Sequence, residues 1–422
     1  MQKYQLKMPH WPKPVWENLA GTPRERTKAL LTTLGNPEKN LPPVIHIGGT
    51  KGKGSTLAFL RTILQKAGYI VHSYTSPHLH HFNERINLAG EPIADDYLYT
   101  ILERTRLAAD TMPLAFFDAT TAAAMLAFAS IPADILLMEV GLGGAIDATN
   151  VIENPLLTIL TTVSRDHIEY MGNSLPEIAR FEAGIFKTYV PAIISYQDEQ
   201  ALAEIEAAAL ASNTPLYQYG KHWQIRKNNK AMVFQDHYGE VELPLPSLPG
   251  SHQIVNAGNA IAAISALTDF EVTQQHIIAG LMQTEWRGRL EKVSCHFLPK
   301  DCEIWFDGGH NEAASQVISH YAQEHWQDKP LYLIFGTTKG KELLPMLRPF
   351  VGVAEKIYAV SVQSEPKSYL PEIIKEKVEP EIRVEVSKDI TQAIQAISKN
   401  SATPFRILVF GSLYLWLEAN NL

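Results

Sequence analysis

The sequence predicts an α/β protein of two domains, each built around a mostly parallel sheet. Three observations carry that prediction. Short apolar runs rich in β-branched residues alternate with stretches of helical periodicity from Val44 onward. A glycine-rich turn joins the first of those runs to a helical stretch. The alternation breaks between about Tyr217 and Leu245 and restarts after Arg289. The 422 residues suit two or three domains of ordinary size. The division is expected after Arg289, giving an N-terminal domain over 1–289 and a smaller one over 290–422.

The elements follow in order. Val44–Ile47 reads as a short buried strand and Ser55–Ala67 as a helix, with Leu57, Leu60, Leu64 and Ala67 on one face and Gly68 as its stop. Ile70–Tyr74 is a strand, Asp118–Ser130 a helix, and Ile135–Val140 and Leu157–Val163 are strands. Ser174-Leu-Pro-Glu177 is a capping box that opens a helix toward Lys187. Ile193–Tyr196 is another strand. Short strands flanking Lys227-Asn-Asn-Lys230 predict a hairpin, followed by helices near Val255–Leu267 and Gln274–Met282. In the second half the strands are Ile304–Phe306, Leu331–Phe335, Ile357–Val362, Arg383–Val386 and Ile407–Phe410.

Composition excludes several function classes. With 45% hydrophobic and 19% charged residues the chain folds rather than staying disordered. Its net charge of −8, without a basic stripe, argues against nucleic acid as a partner. Cys295 and Cys302 are the only cysteines, too few for a zinc pattern or a disulfide framework, and read as residues of a reducing cytoplasm. The most apolar window, Ala119–Met138, is interrupted by Pro132 and Asp134. It reads as a buried helix followed by a buried strand and not as a membrane span. The first sixteen residues have no apolar core for a signal peptide.

The glycine-rich turn carries the chemistry. In Val44-Ile-His-Ile-Gly-Gly-Thr-Lys-Gly-Lys-Gly-Ser-Thr56 a strand enters a turn in which backbone N–H groups can approach phosphate oxygens, and a helix N-terminus follows. Lys53 would reach the β- and γ-phosphates, and Ser55 or Thr56 would hold Mg²⁺. The spacing departs from the common phosphate-loop form, because Gly54 separates Lys53 from the hydroxyl residue. Glu139 ends an apolar strand, where a carboxylate faces the sheet's C-terminal edge, and is expected to hold Mg²⁺ with Ser55.

Ordered blocks along the chain resemble the folylpolyglutamate synthase/dihydrofolate synthase family of the Mur ligase superfamily. They are Gly49-Thr-Lys-Gly-Lys-Gly-Ser-Thr56, Thr75-Ser-Pro-His-Leu79 with Glu84-Arg-Ile86, and Glu139-Val-Gly-Leu-Gly-Gly144 with Asp147-Ala-Thr-Asn150. Asp166-His167 with Gly172 and Ala183-Gly-Ile185, His252-Gln253 with Asn256, Gly288-Arg289, Asp307-Gly-Gly-His-Asn311 and Gly411-Ser412 follow. The resemblance covers about residues 40 to 422. It implies a Mur-ligase-like P-loop ATPase domain plus a smaller Rossmann-like C-terminal domain. It also implies an ATP-dependent amide ligase, with ATP and two Mg²⁺ ions, that adds L-glutamate to dihydropteroate, to reduced folates or to both. The narrower alternatives are a folylpolyglutamate synthase alone or a non-catalytic nucleotide-binding homologue. A monomer in the cytoplasm is expected, acting on small molecules without nucleic acid or membrane. A cell-wall ligase of the superfamily would carry a separate domain ahead of the loop, and the roughly 45 residues before Gly48 fall below ordinary domain size.

The resemblance also implies roles. Gly49, Thr50, Gly52, Lys53, Gly54, Ser55 and Thr56 would bind nucleotide, with Asn256 on the adenine side. Arg289, Asp307 and His310 would serve the nucleotide at an interdomain cleft, Arg289 by clamping phosphate. Helix capping around Asn311 is the plainer reading of Asp307 and His310. Ser76, Pro77, His78, Arg85 and Asp147 would shape the substrate side. His78, His80 and His81 read more simply as a solvated loop than as metal ligands. Ser412 would meet the incoming glutamate, or equally cap a turn. His167 is implied as a second metal ligand. Several positions depart from the family. Lys51 replaces a usual Asn, Ala145 a usual Arg, and Thr338-Lys-Gly-Lys341 a DKD-like run. Glu182 stands where the family has a lysine carbamylated to a metal-binding carboxylate. Glutamate would supply a permanent carboxylate on a shorter arm, and the plain alternative is a surface helix charge.

Overall fold

The computed structural model describes residues 19–166, 168–379, 381–401 and 404–422. The chain forms two compact units, one running to Ser247 and including Gln253–Thr284, the other made of Leu248–His252 with Glu285–Leu422. The second unit thus begins a few residues before the division expected after Arg289. The Gly288–Leu290 turn belongs to it because Gly288 N donates to Glu291 and Leu290 N to Asp307.

The first unit holds an eight-stranded sheet: β1 (Val44–Gly48), β2 (Val71–Tyr74), β3 (Ile86–Leu88), β4 (Glu91–Pro92), β5 (Ile135–Glu139), β6 (Leu157–Leu160), β7 (Ala192–Ile194) and β8 (Leu216–Gln218). Their order is β4-β3-β2-β5-β1-β6-β7-β8. The six from β2 to β8 run parallel, while β3 and β4 turn antiparallel at one edge. β1, β2, β5, β6 and β7 are buried at every position, which explains why they are mainly apolar, with His46, His72, Ser73 and Thr158 among the buried polar exceptions. From β1 the chain leaves toward β2 on one side, and from β5 it crosses to β6 on the other. The end of β1 is therefore a topological switch point, where open α/β sheets place their ligands.

The helix after β1 spans Lys53–Lys66 and buries Leu57, Leu60 and Leu64, the expected face. The antiparallel strands β9 (Gln224–Asn228), β10 (Ala231–Asp236) and β11 (Gly239–Pro244) form a separate three-stranded sheet. The expected hairpin joins β9 to β10, with Asn229 at φ 54° in its turn. Among the described residues no helix is long and apolar enough to cross a membrane.

The second unit is a six-stranded sheet of β12 (Glu291–Val293), β13 (Glu303–Asp307), β14 (Leu331–Phe335), β15 (Lys356–Ala359), β16 (Val384–Val386) and β17 (Arg406–Phe410), in the order β12-β13-β17-β14-β15-β16. Only β12 is antiparallel to its neighbour. Leu333, Phe335, Phe350, Leu408 and Phe410 are fully buried in its core. Cys302 Sγ takes the Phe405 N–H, and both cysteines are free. The chain is a mixed α/β protein of the architecture the motifs imply.

Candidate active site

The turn after β1 is stitched to the segment after β6. Thr50 N and Lys51 N both donate to Thr162 O, at 3.2 and 3.0 Å. The Thr50 hydroxyl donates to Ser164 O and accepts from Ser164 N, at 3.2 and 3.1 Å. Gly49 sits at φ 110°, and a Cβ there would stand 2.4 Å from Thr161 Oγ1, so a residue without a side chain is obligatory. A Cβ on Gly52 would stand 2.2 Å from Asn256 Oδ1, which places Asn256 directly against the loop. Lys53 Nζ donates to Gly49 O at 2.7 Å. Ser55 is buried at the start of the helix. The Thr56 hydroxyl accepts from Asn259 Nδ2 at 3.4 Å and lies 3.5 Å from Asn256 O, so it braces the Ser251–Ala266 helix.

Two carboxylates reach the same sheet edge. Glu139 is the last residue of β5, in register with Ile47, two residues before Gly49. It is buried, and its Oε2 accepts from Ser76 N at 3.1 Å. Glu182 ends the Leu175–Glu182 helix, which opens with the expected Ser174–Glu177 capping box. It is only 2% exposed, and its Oε2 accepts from Gly49 N at 3.2 Å. The surface-charge alternative for Glu182 is excluded by that burial. His167 lies outside the described residues. Among the described residues no group of three or more His, Cys, Asp or Glu side chains is placed to hold a metal. Ser55, Glu139 and Glu182 nonetheless fit Mg²⁺, a hard cation usually held by one or two carboxylates together with substrate phosphates and water.

The loop after β2 is organised by Glu84, whose carboxylate accepts from the backbone N–H groups of Leu79, His80 and His81 at 2.8, 3.1 and 2.9 Å. Arg85 Nε donates to His78 Nδ1 at 2.8 Å. Burial, with the Arg85 charge beside it, holds His78 down at about 4, so it stays a neutral acceptor. The Arg85 guanidinium also lies 5.7 and 5.6 Å from the Phe82 and Phe116 ring centres. Pro77, His80 and His81 are exposed, while Ser76 and His78 are half-buried. Asp147 is buried and accepts from Leu142 N, Thr149 N and the Thr149 hydroxyl, so it folds the turn after Glu139. Burial pushes its carboxyl up, against those hydrogen bonds.

In the second unit, Asp307 ends β13 and ties its surroundings together. Its carboxylate accepts from Leu290 N at 3.0 Å and Gly309 N at 2.8 Å. Burial pushes it up, and the neighbouring Arg289 charge pulls it back. Arg289 Nη1 donates to Gly288 O at 2.9 Å. His310 Nδ1 lies 3.1 Å from Gly308 O and therefore carries the proton. Arg289, Asp307 and His310 thus gather at one strand end. Asn311 caps the Glu312–His325 helix, so capping falls to it and not to Asp307 or His310. Buried Ser412 accepts from Tyr414 N at 3.3 Å, a turn-capping bond.

Sequence reasoning missed the role of Glu84, for which its place three residues after His81 was a capping signal. It also missed Ser164 and Gln197, whose support of the loop region runs across more than thirty residues and leaves no local pattern. Gln197 accepts from Val163 N at 2.9 Å and donates to Thr161 O at 3.0 Å.

Comparison with known proteins agrees with this fold. Residues 47–264 match the family model of the Mur ligase middle domain, and residues 293–419 that of the dihydrofolate synthetase C-terminal domain. The chain is similar to the dihydrofolate synthase/folylpolyglutamate synthase of Bacillus subtilis, 30% identical over 413 residues and covering 92% of each protein. It is similar to the folylpolyglutamate synthase of Lacticaseibacillus casei, 31% identical over 407 residues with 92% of each covered. Among solved structures, E. coli FolC in complex with DHPP and ADP matches with a TM-score of 0.88 at 26% identity, over 97% of this chain and 94% of that one. On fold, ordered motifs and these matches, the chain belongs to the folylpolyglutamate synthase/dihydrofolate synthase family of the Mur ligase superfamily.

Proposed function

We propose that this chain is an ATP-dependent ligase that joins L-glutamate to dihydropteroate and to reduced folates. The observation that carries the reading is the meeting of a phosphate loop with two buried carboxylates at one sheet edge, Glu182 bonded to Gly49 N and Glu139 in register with the strand beneath. The relative named for both activities supports the two-acceptor reading, as does the FolC structure named with ADP and DHPP.

A carboxylate is a poor acyl donor. The γ-phosphoryl group passes from ATP to the acceptor's carboxylate oxygen, leaving ADP and an acyl phosphate. The glutamate amine then attacks the acyl carbon, forming the amide as phosphate departs and the amine gives up a proton. No enzyme nucleophile is needed, so the protein's work is positioning and charge neutralisation. Gly49, Thr50, Gly52 and Gly54 shape a loop of backbone donors, and Lys53 turns from the Gly49 carbonyl to the phosphates. By resemblance to the family, Asn256 would serve the nucleoside, and Arg289, Asp307 and His310 would serve the nucleotide. Ser76–His78 and Arg85 border the acceptor. Mg²⁺, two ions in this reading, supplies neutralisation of phosphate charge when bound. Ser55, Glu139 and Glu182 are the chain's own residues that would hold it, together with His167. The enzyme works as a cytoplasmic monomer.

The test offers purified protein dihydropteroate or tetrahydrofolate with ATP, Mg²⁺ and glutamate, and follows glutamate incorporation and ADP release. Both acceptors should be used, and Glu182→Ala should lose most of the rate. Use of tetrahydrofolate alone would reduce the reading to a polyglutamylase. Silence with both acceptors would refute it, and full activity of Glu182→Ala would remove Glu182 from the site.

A further inference from the structure

The turn that follows Glu139 and the segment that follows Glu182 meet backbone to backbone. A Cβ on Gly144 would stand 2.5 Å from the Glu182 carbonyl oxygen, and one on Gly184 would stand 2.4 Å from Ala145 Cα. One side chain serves both segments. Asn150 is fully buried, and its Nδ2 donates to Gly144 O at 2.8 Å and to Gly184 O at 2.9 Å. Its Oδ1 accepts from Lys187 Nζ at 2.8 Å. An amide has two N–H donors, and here each is spent on a different segment. A lysine ammonium only donates, so Lys187 dictates which end of the amide is oxygen and therefore turns the N–H groups toward the two carbonyls. Burial, with Arg24 nearby and Glu153 opposing, holds Lys187 down at about 8, so it keeps its proton at neutral pH. Lys187 is itself anchored, its carbonyl accepting from the Thr214 hydroxyl and from Val190 N.

We propose that Asn150 and Lys187 form a positioning bracket that fixes the spacing of the Glu139 and Glu182 carboxylates, and that divalent-cation affinity depends on this bracket although neither residue is a ligand. The proposal rests on the reading of those two glutamates as cation-holding groups. Groups that orient ligands from behind are worth about 10- to 100-fold in metal affinity.

The experiment titrates Mn²⁺ into the ADP-loaded full chain and reads free Mn²⁺ by electron paramagnetic resonance. Lys187→Gln and Asn150→Asp should weaken Mn²⁺ binding about ten-fold or more, and Lys187→Arg, which keeps a cationic donor, should recover most of that loss. ADP affinity without divalent cation should stay within about two-fold of the parent protein, because the phosphate loop is held by other bonds. Lys187 is only half-buried, so its variants keep the test available if Asn150→Asp fails to fold. Unchanged Mn²⁺ affinity in folded Lys187→Gln would overturn the bracket. So would a parallel fall in cation-free ADP affinity, which marks general loosening. Glu139→Gln and Glu182→Gln test the underlying reading separately. If both leave Mn²⁺ binding intact, that reading falls whatever the bracket variants do.

Discussion

Gly49→Ala tests whether the phosphate loop owes its shape to one missing side chain. The backbone sits at φ 110°, where an L-residue is strained by about 1–3 kcal/mol. The new Cβ would also stand 2.4 Å from Thr161 Oγ1 and 2.6 Å from Thr161 O. Thr161 is unable to retreat. Its N–H and hydroxyl both donate to Gly48 O at 2.9 Å, and its carbonyl accepts from Gln197 Nε2 at 3.0 Å. Overpacking against such a neighbour costs about 1–3 kcal/mol more. The loop must therefore absorb about 2–6 kcal/mol or move. If it moves, Gly49 N leaves Glu182 and the donors around it lose their aim. Gly35→Ala is the matched control, because Gly35 has φ 88° and nothing within 4 Å of an added Cβ, so it isolates backbone strain from the clash. Calorimetric ADP titration and chemical denaturation of both variants form the assay. Gly49→Ala should lose ADP affinity at least ten-fold, or about 1.4 kcal/mol, while Gly35→Ala binds as the parent does. Parent-like ADP binding by Gly49→Ala, with a stability equal to that of Gly35→Ala, would refute the reasoning.

Three further outcomes are expected. Burial holds His46 down at about 3, so between pH 6.5 and 5 the unfolded chain takes up a proton that the folded chain refuses. Stability should fall by about 2 kcal/mol over that window, and His46→Gln, which keeps a donor within reach of Thr149, should flatten the pH dependence of the denaturation midpoint. Glu84→Ala frees three backbone donors of the loop after β2, and should raise the acceptor KM several-fold while leaving ADP affinity unchanged in direct binding measurements. Glu182 places negative charge against the loop, and like charges about 4 Å apart repel by roughly 4 kcal/mol at an effective dielectric of about 20. Glu182→Gln should therefore bind ADP more tightly without divalent cation, and gain less when Mg²⁺ is added, in the same titration.

The buried strands were legible because parallel strands covered on both faces are written as mainly apolar, β-branched runs, and their sequence bounds fall within a few residues of the true ends. The errors have a common cause. The run Leu157–Val163 continues in apolar and β-branched residues past Leu160, but the backbone leaves the ladder there to serve other partners. Thr162 O takes the loop N–H groups of Thr50 and Lys51, and Val163 N turns to Gln197. Ile357–Val362 likewise stops pairing as a strand at Ala359, and Val362 N finds the Ser368 hydroxyl. Residue type records burial, while the partner of each N–H is decided by chain segments far away in sequence. The same holds for the helix start. It falls at Lys53 and not at Ser55, because Gly52 at φ 87° is already the last loop residue.

Within the site, the sequence showed which residue types were present more clearly than what each one faces. Asp147 and Ser412 sit in motifs and carry the right chemistry, and the motifs do not reveal that both also accept from N–H groups of their own turns. Glu182 shows the opposite case. A glutamate late in a helix is ordinarily solvated, but this one follows Ile178 by four residues, and a 3.6-residue period puts the two on one face. Ile178, Ala179 and Glu182 are indeed the buried residues of that helix. A carboxylate held on an apolar stripe is retained at a cost in desolvation unless something compensates it. Gly49 N–H is part of the compensation, and a single neutral donor offsets only a fraction of a buried charge. The remainder is a standing demand for positive charge at the point where the phosphates of a nucleotide would lie. A divalent cation shared between carboxylate and phosphate meets that demand more completely than either partner can alone.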